Sequence, residues 1–574
     1  MIGIAKEEME ERKVAIKAAV PCSFIELLAG HDALELLSDP TFQAAWNELY
    51  ESCPWATVFQ SKTFVLTWYS LYTEEYLPIL VKSSTNDKLT GLLLLAKSNK
   101  GTIVGAGANR AEYQTWLAEA AEGVKFIKEA LGEVRKAFPT CDIILKFIPP
   151  NVPLEWARKE APWRRICVLR AFNQPLWELE NEKIARRLKK QKSKINHLKK
   201  LGELTLEVIT TVEQFRSIID FIIIQSDFRK GAIYNTTPFQ EDPQRKELLL
   251  KLFEKDFLHV SIIKLNEKII AAKVATKADN CIISQGVSSY APAYAPYSPG
   301  MLHFLFLAKR LMHEGCSTFD LTPGEDAFKK ELATKNLLAS ELHITGTAKS
   351  LVTARCTKLY FDNVVKKKAK IYALFSRIGI SPKTLRQTIR KIKIVAETVR
   401  HTKPNDSEAT LWGSQFLLKS RISLKYKVFK IRASSVAKLK ENIKIDDLED
   451  LLKYDSSSKL LRGEFLTNAM GKFELGQHAY TLTEGTCLLC CVWVKEQARN
   501  SKGSAVELKH AIPDGSKLIY NVYCHPKGRS QLQDFLATVS NLISSDREIY
   551  AVINVADKFL CSTLQKEAFI ERVS

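Results

Sequence analysis

The stretch that decides the fold is residues 258–300, which read LHVSIIKLNEKIIAAKVATKADNCIISQGVSSYAPAYAPYSPG. Three apolar runs in it alternate with short polar turns, a pattern that predicts an antiparallel three-stranded meander. The runs are 258–265, 268–276 and 281–287. A Tyr- and Pro-rich loop then leads into a helix, 301–313, and a short strand, 317–321, follows. This alternation of strands and helices predicts a mixed α/β domain.

The loop before the helix ends in Ser298-Pro299-Gly300. The start of a helix offers unpaired backbone N–H groups and the positive end of the helix dipole, and a glycine lets a bulky phosphate approach the backbone. The sequence therefore predicts a pyrophosphate site formed by Ser298, Gly300, Met301 and Leu302. A plain Ser-Pro-Gly helix entry without a ligand is the alternative that the tripeptide alone leaves open.

Two further segments extend the pattern around this helix. Tyr290-Ala291-Pro292-Ala293-Tyr294 precedes the Ser-Pro-Gly turn, and the segment 319–329, FDLTPGEDAFK, follows the helix. In this order and spacing, residues 40–350 resemble the CelD-like acetyltransferases of the GNAT superfamily, which are linked to cellulose and exopolysaccharide synthesis. Phe328 stands where that family usually has a tyrosine, and the superfamily's glycine-rich phosphate signature is missing before Met301.

This resemblance implies tandem GNAT-like acyltransferase folds, with mixed, largely antiparallel sheets flanked by helices. It also implies acetyl-CoA or another acyl-CoA as co-substrate, with no metal. The acyl group would pass directly to an amino or hydroxyl group of a sugar, or of a polysaccharide or cell-envelope precursor. Such a direct transfer requires no covalent enzyme intermediate.

Acyl transfer from a thioester needs a base for the nucleophile and donors for the tetrahedral oxyanion. Asp320, at the end of a strand beside the predicted cleft, is the predicted base, and Glu325 and Asp326 compete with it. Lys329 is predicted to bind an anionic substrate group or to steady the oxyanion. The structural alternatives are a turn cap for Asp320 and a solvated helix charge for Lys329.

A strongly basic segment, 183–200, holds nine Lys or Arg residues and no acid, and it predicts one helix that ends at Gly202. A solvated face, a phosphate or lipid-linked acceptor contact, and sequence-independent RNA binding all fit it. FemABX transferases, which use aminoacyl-tRNA, carry a similar basic helix, so a FemABX-like activity is the alternative function. The predicted substrate-binding residues are Tyr290, Tyr294, Tyr297, Arg187 and Lys194.

The composition is that of a folded, basic protein. The 574 residues include 84 Lys and Arg against 64 Asp and Glu, a formal charge of +20 that favours anionic partners. No stretch approaches the ~18 apolar residues of a membrane span or has the form of a signal peptide, so a cytoplasmic location is expected. The cluster Cys487, Cys490 and Cys491 has no second Cys/His pair at ligand spacing and is interpreted as buried thiols rather than a zinc site.

The chain divides into five predicted parts. These are a helical leader (1–38), an N-terminal degenerate GNAT-like domain (39–165), the acyltransferase domain (175–350), a basic helical connector (351–424) and a C-terminal GNAT-like domain (425–574). In the last domain Ser530 and Leu532 stand where two glycines should admit a pyrophosphate, so that copy is predicted to be degenerate. Because these glycines are missing, a non-catalytic scaffold that has lost cofactor binding is a third hypothesis for the function.

The connector suggests a second partner. Residues 351–400 hold 13 Lys or Arg and 2 acids, a local charge of +11. Lys and Arg near an anionic bilayer contribute ~1 kcal/mol each. The segment therefore predicts a peripheral contact with the inner membrane face, where lipid-linked sugar acceptors reside. Nucleic acid other than the tRNA of the FemABX-like alternative is not expected.

Overall fold

The computed structural model describes most of the chain after residue 22. The described ranges are 23–279, 281–377, 426–431, 442–455, 460–497, 512–544, 547–554, 557–565 and 570–572. The chain forms two compact units: the first holds the residues up to Phe172 and Leu338–Lys358, and the second holds Asn173–Leu337 and the residues from Leu359 onward. Each unit is described by itself.

Helices and strands alternate through residues 23–377. The strands are β1 Ser23–Ala29, β2 Tyr76–Thr85, β3 Lys88–Ser98, β4 Ile103–Gly105, β5 Leu117–Ala118, β6 Ile143–Ile148, β7 Cys167–Glu178, β8 Leu204–Ile209, β9 Leu258–Leu265, β10 Lys268–Ala278, β11 Cys281–Tyr290, β12 Thr318–Asp320 and β13 Lys335–Ile344. The helices are α1 His31–Ser38, α2 Pro40–Ser52, α3 Lys62–Tyr72, α4 Gly123–Ala137, α5 Glu155–Lys159, α6 Trp163–Ile166, α7 Asn181–Lys190, α8 Lys192–Leu201, α9 Val212–Tyr234, α10 Gln244–Glu254, α11 Pro299–His313, α12 Ala327–Leu332 and α13 Ala348–Arg377.

The first unit is built on a sheet with the strand order β1-β2-β3-β4-β6-β13. Its pairs are antiparallel except β4 with β6, which is parallel. The β2–β3 hairpin turns at Asn86 and Asp87, whose φ angles of 51° and 61° are those of a two-residue hairpin turn. Ser23–Ala29 is a strand paired with β2, where the sequence predicted a helical leader. Residues 1–22 of that leader lie outside the described residues.

The second unit begins with a sheet in the order β7-β12-β11-β10-β9-β8. The predicted meander is confirmed as β9, β10 and β11, and α11 follows it as expected. The parallel pair β11–β12 joins only Cys281–Ile283 to Thr318–Asp320, and β11 then continues to Tyr290 without it. Beside that point, Gln285 and Gly286 form a bulge opposite Val274 and Ala275. The sheet therefore opens next to the start of α11.

The basic segment forms two helices, α7 and α8, rather than the single helix that the sequence predicted. Gln191 separates them with φ −97° and ψ 5°. The break lets each helix bury its own apolar side. Ile184 joins the core around α11, whereas Leu198 packs with Leu302 and the β9–β10 hairpin.

The C-terminal part of the second unit repeats the arrangement. Its strands are β14 Tyr426–Ile431, β15 Ile443–Ile445, β16 His478–Glu484, β17 Cys487–Glu496, β18 Lys517–Cys524, β19 Ile549–Asn554 and β20 Ile570–Arg572. Its helices are α14 Leu448–Leu452, α15 Arg462–Glu474, α16 Leu532–Ile543 and α17 Lys558–Gln565. The order is β15-β16-β17-β18-β19-β14-β20, and β18 pairs in parallel with β19 over four residues only. The predicted mixed α/β fold class is confirmed.

Helices α9 and α15 hold the two sheets of the second unit together. Gly231 and Gly463 lie at their crossing, and a Cβ atom on Gly231 would approach Leu466 Cδ1 to 2.7 Å. The Thr467 hydroxyl donates a hydrogen bond to the Ala232 carbonyl oxygen at 2.7 Å. Phe228 of α9 lies in the same buried cluster as α15 and β17. Helix α9, which contacts β11, therefore contributes side chains to the core of the C-terminal sheet.

The connector is described only at its start, as α13, and residues 378–425 lie outside the described part of the chain. Among the helices of the described residues, none has the length and apolar character needed to cross a membrane.

Gly231→Val is expected to lower the melting temperature more than Gly132→Val does. Both substitutions place the same β-branched residue in a helix, so their propensity costs are matched. The new side chain meets Leu466 at Gly231, whereas a Cβ atom on Gly132 has nothing within 4 Å. Overpacking typically costs about 1–3 kcal/mol. Scanning fluorimetry of the two variants measures the difference, and equal melting temperatures would show that the crossing tolerates a side chain.

Candidate active site

A cavity of about 1110 Å³ lies in the second unit where the β11–β12 pairing ends. Five elements contribute to its walls: the start of α11, the strands β10 and β11, the C-terminal half of α9, and one face of α15. Lys194 of α8 completes the wall beside α11. The cavity is large enough for a small-molecule ligand of cofactor size.

The start of α11 forms the first wall. Ser298, Gly300 and Met301 line the cavity, as the sequence predicted, whereas Leu302 is fully buried in the core. Ser298 has the left-handed conformation, φ 55° and ψ 51°, and accepts a hydrogen bond at Oγ from Lys194 Nζ at 2.8 Å. A Cβ atom on Gly300 would meet only Tyr290 Cδ1, at 3.4 Å. A cation and a helix start therefore face the same space, which suits an anionic ligand.

Strand β10 contributes a buried lysine to the second wall. Lys273 is 2% exposed, and its Nζ donates hydrogen bonds to Ser288 Oγ at 2.6 Å and Ser284 Oγ at 3.3 Å. The Phe304 ring lies 3.9 Å from this Nζ. Burial, reinforced by the positive charges of Lys329 and Arg229, lowers the pKa of Lys273 well below its usual value.

His303 of α11 lies on the same wall and is fully enclosed. Its Nε2 is 2.9 Å from the Ser261 hydroxyl. Burial, with smaller contributions from Lys273 and His259, lowers the pKa of His303 to about 3. The imidazole is therefore neutral at physiological pH, and it presents a polar but uncharged surface to the cavity.

Arg229 of α9 is the second cation of the wall. It donates to the Ser288 carbonyl oxygen at 3.2 Å, and its guanidinium carbon lies 5.7 Å from the centre of the Tyr290 ring. Its Nε is buried without a hydrogen-bond partner among the described residues. Burial raises the pKa of Tyr290, and the Arg229 charge partly opposes that change. Tyr290, a predicted substrate-binding residue, therefore lines the cavity as an uncharged phenol.

The C-terminal part of the chain supplies the last wall, which the sequence did not predict. The residues that face the cavity follow helical spacing along α15 and include one strand residue: Glu464, Thr467, Asn468, Gly471, Lys472, Glu474, Leu475 and Asn521. Lys472 Nζ lies 4.6 Å from the centre of the Trp493 ring and 5.8 Å from that of Tyr520. Burial lowers the pKa of Lys472 to about 8.

The segment 319–329 folds as a tight turn beside the cavity. Asp320 is buried and accepts at Oδ2 from Gln174 Nε2 (2.8 Å) and at Oδ1 from the Thr322 N–H (2.7 Å). Lys329 is also buried and donates to the carbonyl oxygens of Thr322 (3.0 Å) and Pro323 (3.2 Å). These bonds hold Thr322 in its left-handed conformation, with φ 64°.

Two further residues of the segment 319–329, Asp326 and Phe328, contact side chains outside the turn. Asp326 Oδ2 lies 3.9 Å from Lys329 Nζ, and its Oδ1 lies 3.5 Å from the Tyr234 hydroxyl. Phe328, where the resembled family has a tyrosine, lines the cavity and packs on Phe304 with ring centres 5.2 Å apart. Asp320, Asp326 and Lys329 are not among the residues that line the cavity, and their catalytic roles remain predictions.

Three predicted substrate-binding residues lie outside the cavity lining. Lys268 lies over the Tyr294 ring at 5.6 Å, and Tyr297 stacks on His197 with ring centres 5.7 Å apart. Arg187 donates to the Leu332 carbonyl oxygen at 3.0 Å and lies over Trp177. Lys194 and Tyr290 are therefore the predicted substrate-binding residues that the structure brings to the cavity.

Cysteines of the C-terminal sheet are free thiols in this structure. Cys490 Sγ lies 4.0 Å from Cys524 Sγ on the neighbouring strand. Burial raises the pKa of Cys491 to about 12. Among the described residues, no group of three or more His, Cys, Asp or Glu side chains is placed to hold a metal ion.

Residues 185–330 match the family model described as "Acetyltransferase (GNAT) domain". None of the curated proteins matches the chain. Similar solved structures include FemX (11% identity, 53% of this chain and 96% of that one, TM-score 0.37). L-PGS from Bacillus licheniformis is also similar, with 12% identity over 57% of this chain and 97% of that one and a TM-score of 0.35. A third similar structure is that of a tandem GNAT protein from the clavulanic acid biosynthesis pathway, with 9% identity over 56% of this chain and 99% of that one and a TM-score of 0.36. The family match spans α8, α9, the meander, α11 and the 319–329 turn.

The protonation of Lys472 is expected to make anion binding pH-dependent. Because its pKa is about 8, the cavity loses a positive charge as pH rises from 7 to 9. One charge-assisted contact contributes about 1.5–3 kcal/mol, so acetyl-CoA affinity is expected to fall roughly tenfold over this interval. Calorimetry at both pH values should show this fall in the wild-type protein and not in Lys472→Met.

Lys277→Met is the matched control, because Lys277 lies on β10 but pairs with Asp256 at the surface. It should keep the wild-type pH dependence. An affinity that is the same at pH 7 and pH 9 in the wild-type protein would contradict a role for Lys472 in anion binding.

Proposed function

We propose that this protein is an acyl-CoA-dependent N- or O-acyltransferase of the GNAT type. One observation supports the proposal most directly. Three features lie at one cavity: the point where β11 and β12 stop pairing, the start of α11, and the side chain of Lys194. A parted parallel pair followed by a helix is how the resembled superfamily holds an acyl-CoA. The family match over residues 185–330 supports this reading.

The pyrophosphate of the donor is proposed to bind at the start of α11. The helix dipole favours an anion there, and Lys194 adds a positive charge from α8. Pro299 has no N–H, and the N–H groups of Met301 and Leu302 donate to the Ser298 carbonyl oxygen, so the Gly300 N–H is the backbone donor proposed to meet the anion. A side chain at position 300 would meet the Tyr290 ring, so the glycine lets a phosphate approach the backbone beside that ring. The thioester end would then lie toward β10 and β11, where Lys273 and Arg229 line the cavity.

Direct transfer fits this arrangement. The acceptor would attack the thioester carbonyl carbon, and the CoA thiolate would leave without forming a covalent bond to the protein. Buried donors next to the reacting carbonyl stabilise the oxyanion most effectively when they are held in place before the reaction. Arg229 is such a group, because one of its nitrogens already donates to Ser288 and its Nε is buried without a partner among the described residues.

The acceptor is proposed to be a sugar or a precursor of a polysaccharide or of the cell envelope. The CelD-like resemblance points to this class, and the α15 wall has the chemistry that it needs. Hydroxyl, amide and carboxylate groups of Thr467, Asn468 and Glu464 line one side of the cavity, and Asn521 adds a second amide. Such groups both donate and accept hydrogen bonds, as sugar hydroxyls do.

An aminoacyl-tRNA-dependent transfer of the FemABX kind remains the second candidate. The observation that favours it is the exposed basic side of α7 and α8, next to Lys194 in the cavity. Its exposed cations are Arg186, Lys189, Lys190, Lys192, Lys199 and Lys200. A polyanion bound along these helices would give steep salt dependence, which a single nucleotide cofactor does not.

Peripheral membrane contact is proposed for the basic connector, of which the structure describes only α13. Sedimentation with vesicles that contain anionic lipid at low salt is the direct measurement. Recovery of the protein in the supernatant under these conditions excludes the contact.

Titration of the intact protein with acetyl-CoA is the test of the proposed function. Binding is expected in the wild-type protein, and Gly300→Trp should abolish it, because the indole would fill the space in front of α11. Gly132→Trp is the control, since a Cβ atom there meets nothing within 4 Å and the site is in the first unit. It should bind as the wild type does.

The other outcomes separate the alternatives. Binding that survives Gly300→Trp would move the cofactor away from α11. A protein that binds no acetyl-, succinyl- or longer acyl-CoA but shifts charged tRNA in a gel supports the FemABX-like activity. One that binds neither supports the scaffold reading.

A further inference from the structure

Lys273 is a buried amine at the wall of the cavity. It lies in β10, directly opposite Ser288 of β11, and both residues line the cavity. The polar contacts of its Nζ are the hydroxyls of Ser284 and Ser288, which flank the β11 bulge. The bulge therefore directs two hydroxyl groups at one amine, beside the space where the thioester is proposed to lie.

The surroundings of Lys273 disfavour its charged form. The charged and titratable groups that act with it are Arg229 on α9, Lys329 on α12 and His303 on α11, and none of these is an acid. Its Nζ also lies over the Phe304 ring on α11, the kind of contact that favours a cation and so opposes these effects. A buried ammonium next to two cations loses its proton readily, because burial and like charges both favour the neutral amine.

A neutral lysine amine has a free electron pair, which a charged one lacks. Desolvated lysines serve as general bases for this reason. Asp320, the base that the sequence predicted, already accepts a hydrogen bond at each carboxylate oxygen and is not among the residues that line the cavity. Among the described residues on the cavity lining, Lys273 is a buried amine, and the proposed donor site and the α15 wall belong to the same cavity.

We propose that Lys273 is the general base of the acyl transfer and that its Nζ takes the proton of the acceptor's nucleophile. The inference rests on the proposed function. As the acceptor oxygen or nitrogen bonds to the thioester carbonyl carbon, its proton passes to Lys273 Nζ. The carbon–sulfur bond then breaks, and the CoA thiolate takes that proton from the lysine. The products are the acylated acceptor and CoA thiol, and Lys273 returns to its neutral form.

The first measurement is an NMR titration of the intact protein that carries isotope-labelled lysine Cε, without any ligand. Lys273→Met assigns the Lys273 signal by its disappearance, and Lys277→Met assigns a surface lysine on the same strand. The Lys273 signal is expected to be that of a neutral amine at pH 7.5. A Lys273 signal that is that of an ammonium at this pH overturns the inference.

The second measurement is the release of CoA thiol from acetyl-CoA, with glucosamine as the probe acceptor and water as the default one. Positioned bases contribute about 10²–10⁴-fold to rates. Lys273→Met and Lys273→Arg are therefore both expected to lose about a hundredfold or more in rate, with the acetyl-CoA affinity within twofold of wild type. Lys277→Met should keep the wild-type rate.

The arginine variant separates the two roles that a lysine can have. A rate preserved in Lys273→Arg would mean that Lys273 acts as a cation, and the inference would fall. A loss confined to Asp320→Asn would return the role of base to Asp320. A neutral Lys273 in a protein that binds acetyl-CoA but releases no thiol to either acceptor would leave the lysine structural.

These outcomes are distinguishable from failure of the proposed function. A protein that binds no acyl-CoA refutes the function and the catalytic role together, whatever the NMR signal shows. A Lys273 that is charged in a protein that binds and turns over acetyl-CoA refutes the inference alone.

Discussion

The cavity exists because the parallel pairing of β11 with β12 stops after three residues. A longer β12 would close the sheet over the start of α11, and the helix N-terminus would then face a strand instead of open space. Asp320 marks the end of that strand, and its two hydrogen bonds hold the chain in a tight turn directly afterward. Lys329 secures the same turn from the other side. The segment 319–329 thus fixes the point at which β12 ends, and the early end of β12 leaves room for the cavity.

A second constraint is the close crossing of α9 with α15. Because Gly231 and Gly463 carry no side chains, the two helices approach closely, and Phe228 and Ala232 of α9 join the core of the C-terminal sheet. This approach turns a face of α15 toward the cavity. The C-terminal copy keeps its own parallel pair and helix, but Leu532 is fully buried in the core at the start of that helix. Its observed contribution is a wall of the neighbouring cavity.

Much of the second unit could be predicted from local pattern. The meander, α11 and the Ser-Pro-Gly turn each consist of contiguous residues. The alternation of apolar residues and the Pro and Gly at helix ends are therefore enough to predict them. Lys273 was visible as well, as a lysine in the interior of the apolar run 268–276, but a strand pattern cannot tell a buried amine from one at a sheet edge. The α15 wall left none, because Lys472 and Lys273 are far apart in sequence. Asp320 was visible as a motif residue, but its hydrogen bonds were not.

The lysines of the cavity differ in protonation because they differ in desolvation. Burial holds Lys273 far below the ordinary lysine pKa, and it brings Lys472 to about 8. The difference follows from position: Lys273 lies in the middle of a sheet between aromatic rings and two other cations, whereas Lys472 lies on a helix face at the rim of aromatic side chains. A site that binds an anion and also removes a proton needs both kinds of amine. In the proposed mechanism, the more deeply buried Lys273 would accept the proton, and the less deeply buried Lys472 would bind the anion.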